Sequence, residues 1–117
     1  MPKKRVLIVE DEQTVALTLG EYLEELGHSS IAYAATFDEA MALAESGKFD
    51  VAWLDINLHG KTVYPIARVL RAKGARCAFM TGYSGHVVPS EHAHMPFLPK
   101  PFTLSNVEKV MLVLSDG

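Results

Sequence analysis

Five residues, Val51-Ala52-Trp53-Leu54-Asp55, constrain this chain more than any other stretch. Four apolar residues run into a single aspartate, and turn chemistry follows at once in Ile56-Asn57-Leu58-His59-Gly60-Lys61. A short, continuously apolar run bounded by turn residues predicts a strand buried on both faces, as in a parallel sheet. Open parallel sheets bind ligands outside the carboxyl ends of their strands. Asp55 is therefore expected at the floor of a site, and the rest of the chain decides what else points there.

Reading outward, the pattern alternates. Arg5-Val6-Leu7-Ile8-Val9 predicts a first strand, ended by Glu10-Asp11-Glu12. A helix is expected from about Gln13 to Leu26, with Val15, Leu19, Tyr22, Leu23 and Leu26 as its apolar stripe and Gly27 as a left-handed stop. Ser30 to Ala34 predicts a second strand near a sheet edge. Thr36-Phe37-Asp38-Glu39 is a capping box opening a second helix, which runs to about Ser46. Pro65 suits the first turn of a third helix carrying Ile66, Val69 and Leu70 inward. Arg76 to Thr81 predicts a fourth strand and Phe97-Leu98 a short fifth. Thr103 caps a last helix with Leu104, Val107, Met111 and Leu114 on one side. Between them, Gly82 to Pro96 holds two glycines, two prolines and three histidines in 15 residues, so a fourth helix would be short or irregular. Strands alternating with helices require right-handed crossovers and a sheet covered on both faces. The expected fold is α/β, a flavodoxin-like, doubly wound, five-stranded parallel sheet of order 2-1-3-4-5.

Size and charge narrow the function. The 117 residues suffice for one domain, so residues 1–117 are read as a single unit without an output domain. Net charge is −3, which gives no electrostatic case for nucleic acid or an anionic membrane surface. No apolar run approaches the roughly 18–20 residues of a membrane span. The apolar run behind the basic N-terminus, Val6 to Val9, is too short for a signal peptide. The single cysteine, Cys77, excludes an internal disulfide and fits a reducing, cytoplasmic location.

The chemistry lies where polar groups fall at strand ends. The first strand ends in Glu10-Asp11, the third in Asp55, the fourth in Thr81, and the fifth is followed by Lys100 between Pro99 and Pro101. A parallel sheet delivers all of these to one edge. Carboxylates this close raise each other's pKa unless a cation sits among them. Hard oxygen donors suit Mg²⁺. A Mg²⁺ beside a lysine and a hydroxyl is suited to stabilising a transferring phosphoryl group. Asp55, as the central carboxylate, is the candidate nucleophile for an aspartyl-phosphate.

Val-Glu-Asp-Glu at 9–12, the apolar run ending in Asp55, Met-Thr-Gly-Tyr at 80–83 and Leu-Pro-Lys-Pro-Phe at 98–102 together resemble the response-regulator receiver domain of two-component signalling. Phe79-Met80-Thr81-Gly82-Tyr83-Ser84 further resembles the single-domain receivers nicknamed FATGUY. The resemblance implies that Asp55 is the phosphoacceptor, taking a phosphoryl group from a sensor histidine kinase or a histidine phosphotransfer protein. It implies Asp11 as a direct Mg²⁺ ligand, Glu10 as an acid acting through metal-bound water, and the backbone carbonyl of Asn57 as a further ligand. Lys100 would pair with a phosphoryl oxygen, Thr81 would turn its hydroxyl onto the phosphate, and Phe97 matches the aromatic that moves with it. The Lys100-Pro101 bond would be cis. His59 stands where the family usually has proline, and both Tyr83 and His59 flank the expected site.

Other readings are weaker. Gly60-Lys61-Thr62 mimics the tail of a phosphate-binding loop, but the partner glycine would fall at Asp55. Gly82-Tyr83-Ser84-Gly85 is one residue short of a hydrolase nucleophile elbow. His86, His92 and His94 read as solvated loop residues rather than a metal site. The expectation is a stand-alone response regulator, not an enzyme beyond its own phosphoryl transfer and dephosphorylation, whose output is a change in binding to an unknown downstream protein. A phosphate relay or sink is the alternative. A small Mg²⁺-dependent phosphotransferase or phosphatase is the enzyme-class rival, and it lacks a second acid at Asn57. An interaction-class rival, a receiver-like module working without phosphorylation, is disfavoured by the complete set Asp11, Asp55, Thr81 and Lys100.

Overall fold

The computed structural model describes residues 3–82 and 88–115. In chain order the elements are β1 (Arg5–Val9), α1 (Gln13–Glu25), β2 (Ser30–Ala34), α2 (Phe37–Ser46), β3 (Val51–Asp55), β4 (Asn57–Leu58), β5 (Lys61–Thr62), α3 (Tyr64–Ala72), β6 (Arg76–Thr81), a 3₁₀ turn (Ser90–His92), β7 (Phe97–Pro99) and α4 (Leu104–Ser115). Five strands form one sheet in the order β2-β1-β3-β6-β7, every neighbouring pair parallel. This is the doubly wound, flavodoxin-like topology expected from the alternation.

The strands sort their side chains by the two-residue period of a pleated sheet. Val6, Ile8, Val51, Trp53, Ala78 and Met80 face the layer built by α1 and α4, where they meet Leu19, Leu23, Val107 and Met111. Leu7, Val9, Ala52, Leu54, Cys77 and Phe79 face the other layer, against α2 and α3. All five residues of β3 are buried, which is why that stretch had to be apolar throughout. Trp53 is fully enclosed.

Local chemistry sets the helix ends. Thr36 Oγ1 accepts the Glu39 N–H at 3.1 Å, and Glu39 Oε1 reaches back to the Ala35 N–H at 3.1 Å. Thr103 and Asn106 repeat the exchange at the start of α4, at 3.1 and 3.0 Å. Gly27, at φ 98°, ends α1 as expected. The inward side of α1 is rotated from the expected stripe. Ala16, Leu19, Gly20 and Leu23 are buried, while Val15, Tyr22 and Leu26 are half-buried.

Two features depart from the sequence reading. The stretch after β3 is not an irregular loop. β4 and β5 pair antiparallel as a hairpin, Asn57 with Thr62 and Leu58 with Lys61. His59 and Gly60 are its two loop residues, at φ 49° and 85°, and Asn57 Oδ1 accepts the Gly60 N–H at 2.8 Å. The second departure is His92. It is not a solvated loop residue but 1 % exposed. Its ring stacks on Tyr64 of α3, centroids 5.9 Å apart, and meets Phe79 of β6 edge-on at 5.8 Å. Arg71 Nη1 lies 3.1 Å from His92 Nδ1 and donates to the Glu91 carbonyl at 2.6 Å. The 3₁₀ turn therefore takes the place expected for a fourth helix, tied to α3 by the buried imidazole, by Arg71 and by the Arg68–Glu91 ion pair at 2.6 Å. His94 is exposed, and His86 lies outside the described residues. Among the described residues no helix is long and apolar enough to cross a membrane.

Candidate functional site at the carboxyl edge of the sheet

Four sheet strands bring their ends to one place. Glu10 and Asp11 follow β1, Asp55 ends β3, Thr81 ends β6, and Lys100 follows β7. Carboxylate oxygens of Glu10, Asp11 and Asp55 all lie within 4.8 Å of one another. Lys100 Nζ stands 2.5 Å from Glu10 Oε1 and 3.6 Å from Asp55 Oδ1. The Lys100 backbone is held in place by its N–H, which donates to the Thr81 carbonyl at 2.9 Å, and the Lys100-Pro101 bond is cis. Thr81 is half-buried at the end of β6. Phe97, in β7, is 39 % exposed, with its ring 5.8 Å from that of Phe79.

Asn57 lies at the foot of the hairpin, exposed, with its side-chain oxygen committed to the Gly60 N–H. Tyr83 lies outside the described residues. His59, expected to flank the site, does so from the hairpin tip, with Nε2 3.6 Å from Asp11 Oδ2. A His-Gly loop is an uncommon choice for a two-residue hairpin, where Asn-Gly is the strong signal, so the hairpin itself was not legible.

Burial dominates the electrostatics. Glu10 is 2 % exposed and Asp55 8 %. Loss of solvent pushes the Glu10 carboxyl up to about 7, against the opposing pull of Lys100 and of the Glu12 N–H that bonds its other oxygen. Asp55 is also raised, again by burial first, with the Lys100 charge opposing. Asp11 goes the other way. Burial would raise it, but hydrogen bonding with Glu10 and Asp55 and the nearby His59 hold it down. Burial lowers Lys100, and its bond to Glu10 and the Asp55 charge outweigh that and raise it. Glu10 and Asp55 thus share one ammonium with Asp11 beside them, and such crowding of carboxylates favours a cation.

The donor set suits a hard divalent ion. One oxygen from each of the three carboxylates lies within 4.8 Å of the others, near enough to converge on a single ion. Glu10, Asp11 and Asp55 would hold the ion and leave positions for water, which Mg²⁺ keeps readily. The site sets three carboxylates and an ammonium around one point, at the end of a parallel sheet. With an ion bound, that combination stabilises a transferring phosphoryl group.

Comparison with known proteins agrees with the geometry. The chain is similar to SdrG from Sphingomonas melonis Fr1, with a TM-score of 0.86 and 37 % identity over 98 % of this chain and 99 % of that one. It is 30 % identical over 108 residues to the transcriptional regulatory protein PdtaR of Mycobacterium tuberculosis, which covers 89 % of this chain and 53 % of that protein. The chain spans about half the length of the curated relatives it matches. The receiver domain of sensor histidine kinase PA1611 from Pseudomonas aeruginosa PAO1, solved with magnesium coordinated in its active-site cleft, shares the fold at a TM-score of 0.82 and 22 % identity, covering 99 % of this chain and 100 % of that one. The family profile of the response regulator receiver domain matches residues 6–111. With the sheet order, the strand-end residues and these likenesses in agreement, this chain belongs to the response regulator receiver domain family.

Proposed function

We propose that the chain is a phosphorylation-controlled binding switch, a response regulator acting through partner proteins as one receiver unit over residues 1–117. Asp55 accepts a phosphoryl group from a phosphohistidine of a sensor kinase or a phosphotransfer protein. A carboxylate oxygen of Asp55 forms the new P–O bond, the P–N bond to the donor imidazole breaks, and that imidazole takes a proton from solvent. The observation that carries the reading is the convergence of Asp55, Glu10 and Asp11 with Lys100 at 3.6 Å from Asp55 Oδ1. A bound Mg²⁺ supplies charge neutralisation for the phosphoryl oxygens. Asp11, Asp55 and the Asn57 carbonyl would hold it, with Glu10 acting through metal-bound water. Lys100 pairs with a phosphoryl oxygen, and Thr81 orients its hydroxyl towards the phosphate.

The nearly complete mutual coverage with SdrG supports reading the chain as a receiver of that kind, and so does the FATGUY-like segment. The conformational output involves Phe97, which has room to move because it is part-exposed at the sheet edge. The compartment is the cytoplasm, where the free thiol of buried Cys77 stays reduced.

The test is incubation with Mg²⁺ and acetyl phosphate, or with a phosphorylated histidine kinase, followed by intact mass. A one-phosphate increase, labile to hydroxylamine and absent in Asp55→Asn, supports the reading. No adduct from either donor refutes it and leaves a module that binds without phosphorylation.

A further inference from the structure

At the opposite end of the sheet from Asp55, a proline leaves a strand edge open. β7 pairs with only the second half of β6, from Phe79 opposite Phe97 to Thr81 opposite Pro99. Along β6 the backbone groups alternate in direction. The Arg76 N–H points inward to the Asp50 carbonyl, and the Phe79 N–H points outward to the Pro96 carbonyl. The N–H and C=O of Cys77 share the outward direction of Phe79. In this register the Cys77 carbonyl would take its ladder bond from residue 96, and Pro96 has no N–H to give. The ladder stops there, with Cys77 facing outward and no strand opposite it.

A cleft of about 420 Å³ lies at this point between the ends of α3 and α4, and Cys77 lines it. That volume is within the range of binding clefts, roughly 300–1,000 Å³. Its two walls differ in chemistry. Cys77 and Phe79 turn their side chains to the α3 side of the sheet, where Arg71 and His94 stand with Nη2 and Nε2 3.3 Å apart. On the α4 side the wall is Leu114 and Val113, the latter 58 % exposed. Among the described residues no aspartate or glutamate lines the cleft. The hydrogen bonds of Arg71 go to the Glu91 carbonyl and to the imidazoles of His92 and His94. The Glu91 carboxylate is taken by Arg68. Among the described residues, no carboxylate bonds the Arg71 guanidinium, which stands beside an open strand edge.

We propose that this cleft is a docking site for an extended, acid-bearing segment of a partner protein. The segment adds to the edge of β6 at Cys77 and sets a carboxylate on Arg71 and His94. In an antiparallel approach, one residue of the segment exchanges both main-chain bonds with Cys77. Its side chain lies on the α3 side, as that of Cys77 does, and is the acid. The residues before and after it turn to the α4 side, against Val113 and Leu114, and are apolar. The pattern recognised is apolar–acidic–apolar in an extended conformation. A free anion would use the cations but neither the strand edge nor the apolar wall. This site does not depend on Asp55 being the phosphoacceptor.

The test titrates the isotope-labelled full chain with a blocked peptide, Thr-Val-Glu-Val-Thr, and follows amide shifts by NMR together with amide exchange at Cys77. A peptide with lysine in place of the glutamate reports the charge requirement. N-acetylglutamate amide reports binding of the anion alone. His94→Glu and Val113→Asp, both at exposed positions, put a negative charge on either wall, and matching urea midpoints establish that they fold. The expected result is a saturable shift at Cys77 with slower exchange of its amide. Binding should be about tenfold weaker for the lysine peptide and for each variant, and weaker with added salt. No saturable shift at Cys77, or equal binding of the lysine peptide, overturns the proposal. Shifts of equal size from N-acetylglutamate amide mean an adventitious anion only and overturn the strand addition. Shifts confined to the free edge of β2 overturn the choice of site.

Discussion

Replacing His92 by alanine tests whether one buried imidazole really stands in for a helix. The ring is 1 % exposed, stacked on Tyr64 at 5.9 Å and edge-on to Phe79 at 5.8 Å, with Arg71 Nη1 3.1 Å from Nδ1. Aromatic pairs contribute about 0.5–1.5 kcal/mol each beyond their buried area. Truncating a large buried ring to alanine costs about 3–5 kcal/mol. The imidazole is smaller than a phenyl ring, and Arg71 keeps the Glu91 carbonyl when it is gone, so about 2–3 kcal/mol is expected. Urea unfolding read by the fluorescence of fully buried Trp53 should show a midpoint lower by about 0.7–3 M for a slope of about 1–3 kcal/mol per M. His92→Phe keeps the stack and loses the Arg71 contact and the 3.5 Å approach of Nε2 to Glu91 Oε1, about 1 kcal/mol together. The pH dependence has a definite sign. Burial lowers the His92 pKa, Glu91 opposes, and Arg71, Arg68 and His94 lower it further. A lowered histidine stabilises fully above its unfolded value, about 6.5, and that stability is lost as pH falls through the folded value. Wild type should therefore lose its advantage over His92→Phe between pH 7 and pH 5. A His92→Ala chain within about 0.5 kcal/mol of wild type would refute the idea that the ring anchors the 3₁₀ turn.

Other outcomes follow from the site and from one cap. Mg²⁺ at about 100 times its dissociation constant should stabilise the fold by about 2.7 kcal/mol, visible in a thermal melt. Asp55→Asn, which removes a buried charge from the cluster, should raise the metal-free melting point and blunt the Mg²⁺ response. Lys100→Ala should cost more at pH 8 than at pH 5. Glu10 is already raised to about 7 with Lys100 present, and the stability of a raised acid is complete below its unfolded value and lost as pH rises through the folded one. Equal losses at both pH values would remove Lys100 as the counter-charge. Lys73 Nζ donates to the carbonyls of Ala44, Glu45 and Gly47 at 3.2, 2.6 and 3.1 Å, closing the end of α2. Lys73→Met should cost about 1 kcal/mol in urea unfolding.

What the sequence made legible was what repeats or terminates. The period-2 strands, the Thr36 box, Gly27 and the unbroken run Val51 to Asp55 each follow from a local rule, and together they dictate a parallel sheet with its acids at one edge. Lys100 was legible because two prolines hold it next to a short strand. What was hidden depended on distant partners. The burial of His92 is decided by Tyr64 and Phe79 arriving from α3 and β6, which no window around residue 92 contains. The inward side of α1 is set by distant partners: Ala16 joins the cluster around Trp53 and Met80, and Gly20 makes room for the Tyr33 ring of β2, which the apolar pattern of Val15 and Tyr22 did not show. The hairpin of β4 and β5 escaped because His-Gly lacks the usual turn signature.

The central claim is that Asp55 is the residue that carries phosphate, and that the acids around it make this depend on a divalent ion. Borohydride reduces an aspartyl-phosphate to homoserine, which marks the residue permanently. After phosphotransfer from a phosphohistidine donor, reduction and peptide mapping, the account predicts homoserine at position 55 with Mg²⁺ present and none when the metal is chelated. Homoserine at another acid, or equal labelling without metal, contradicts it.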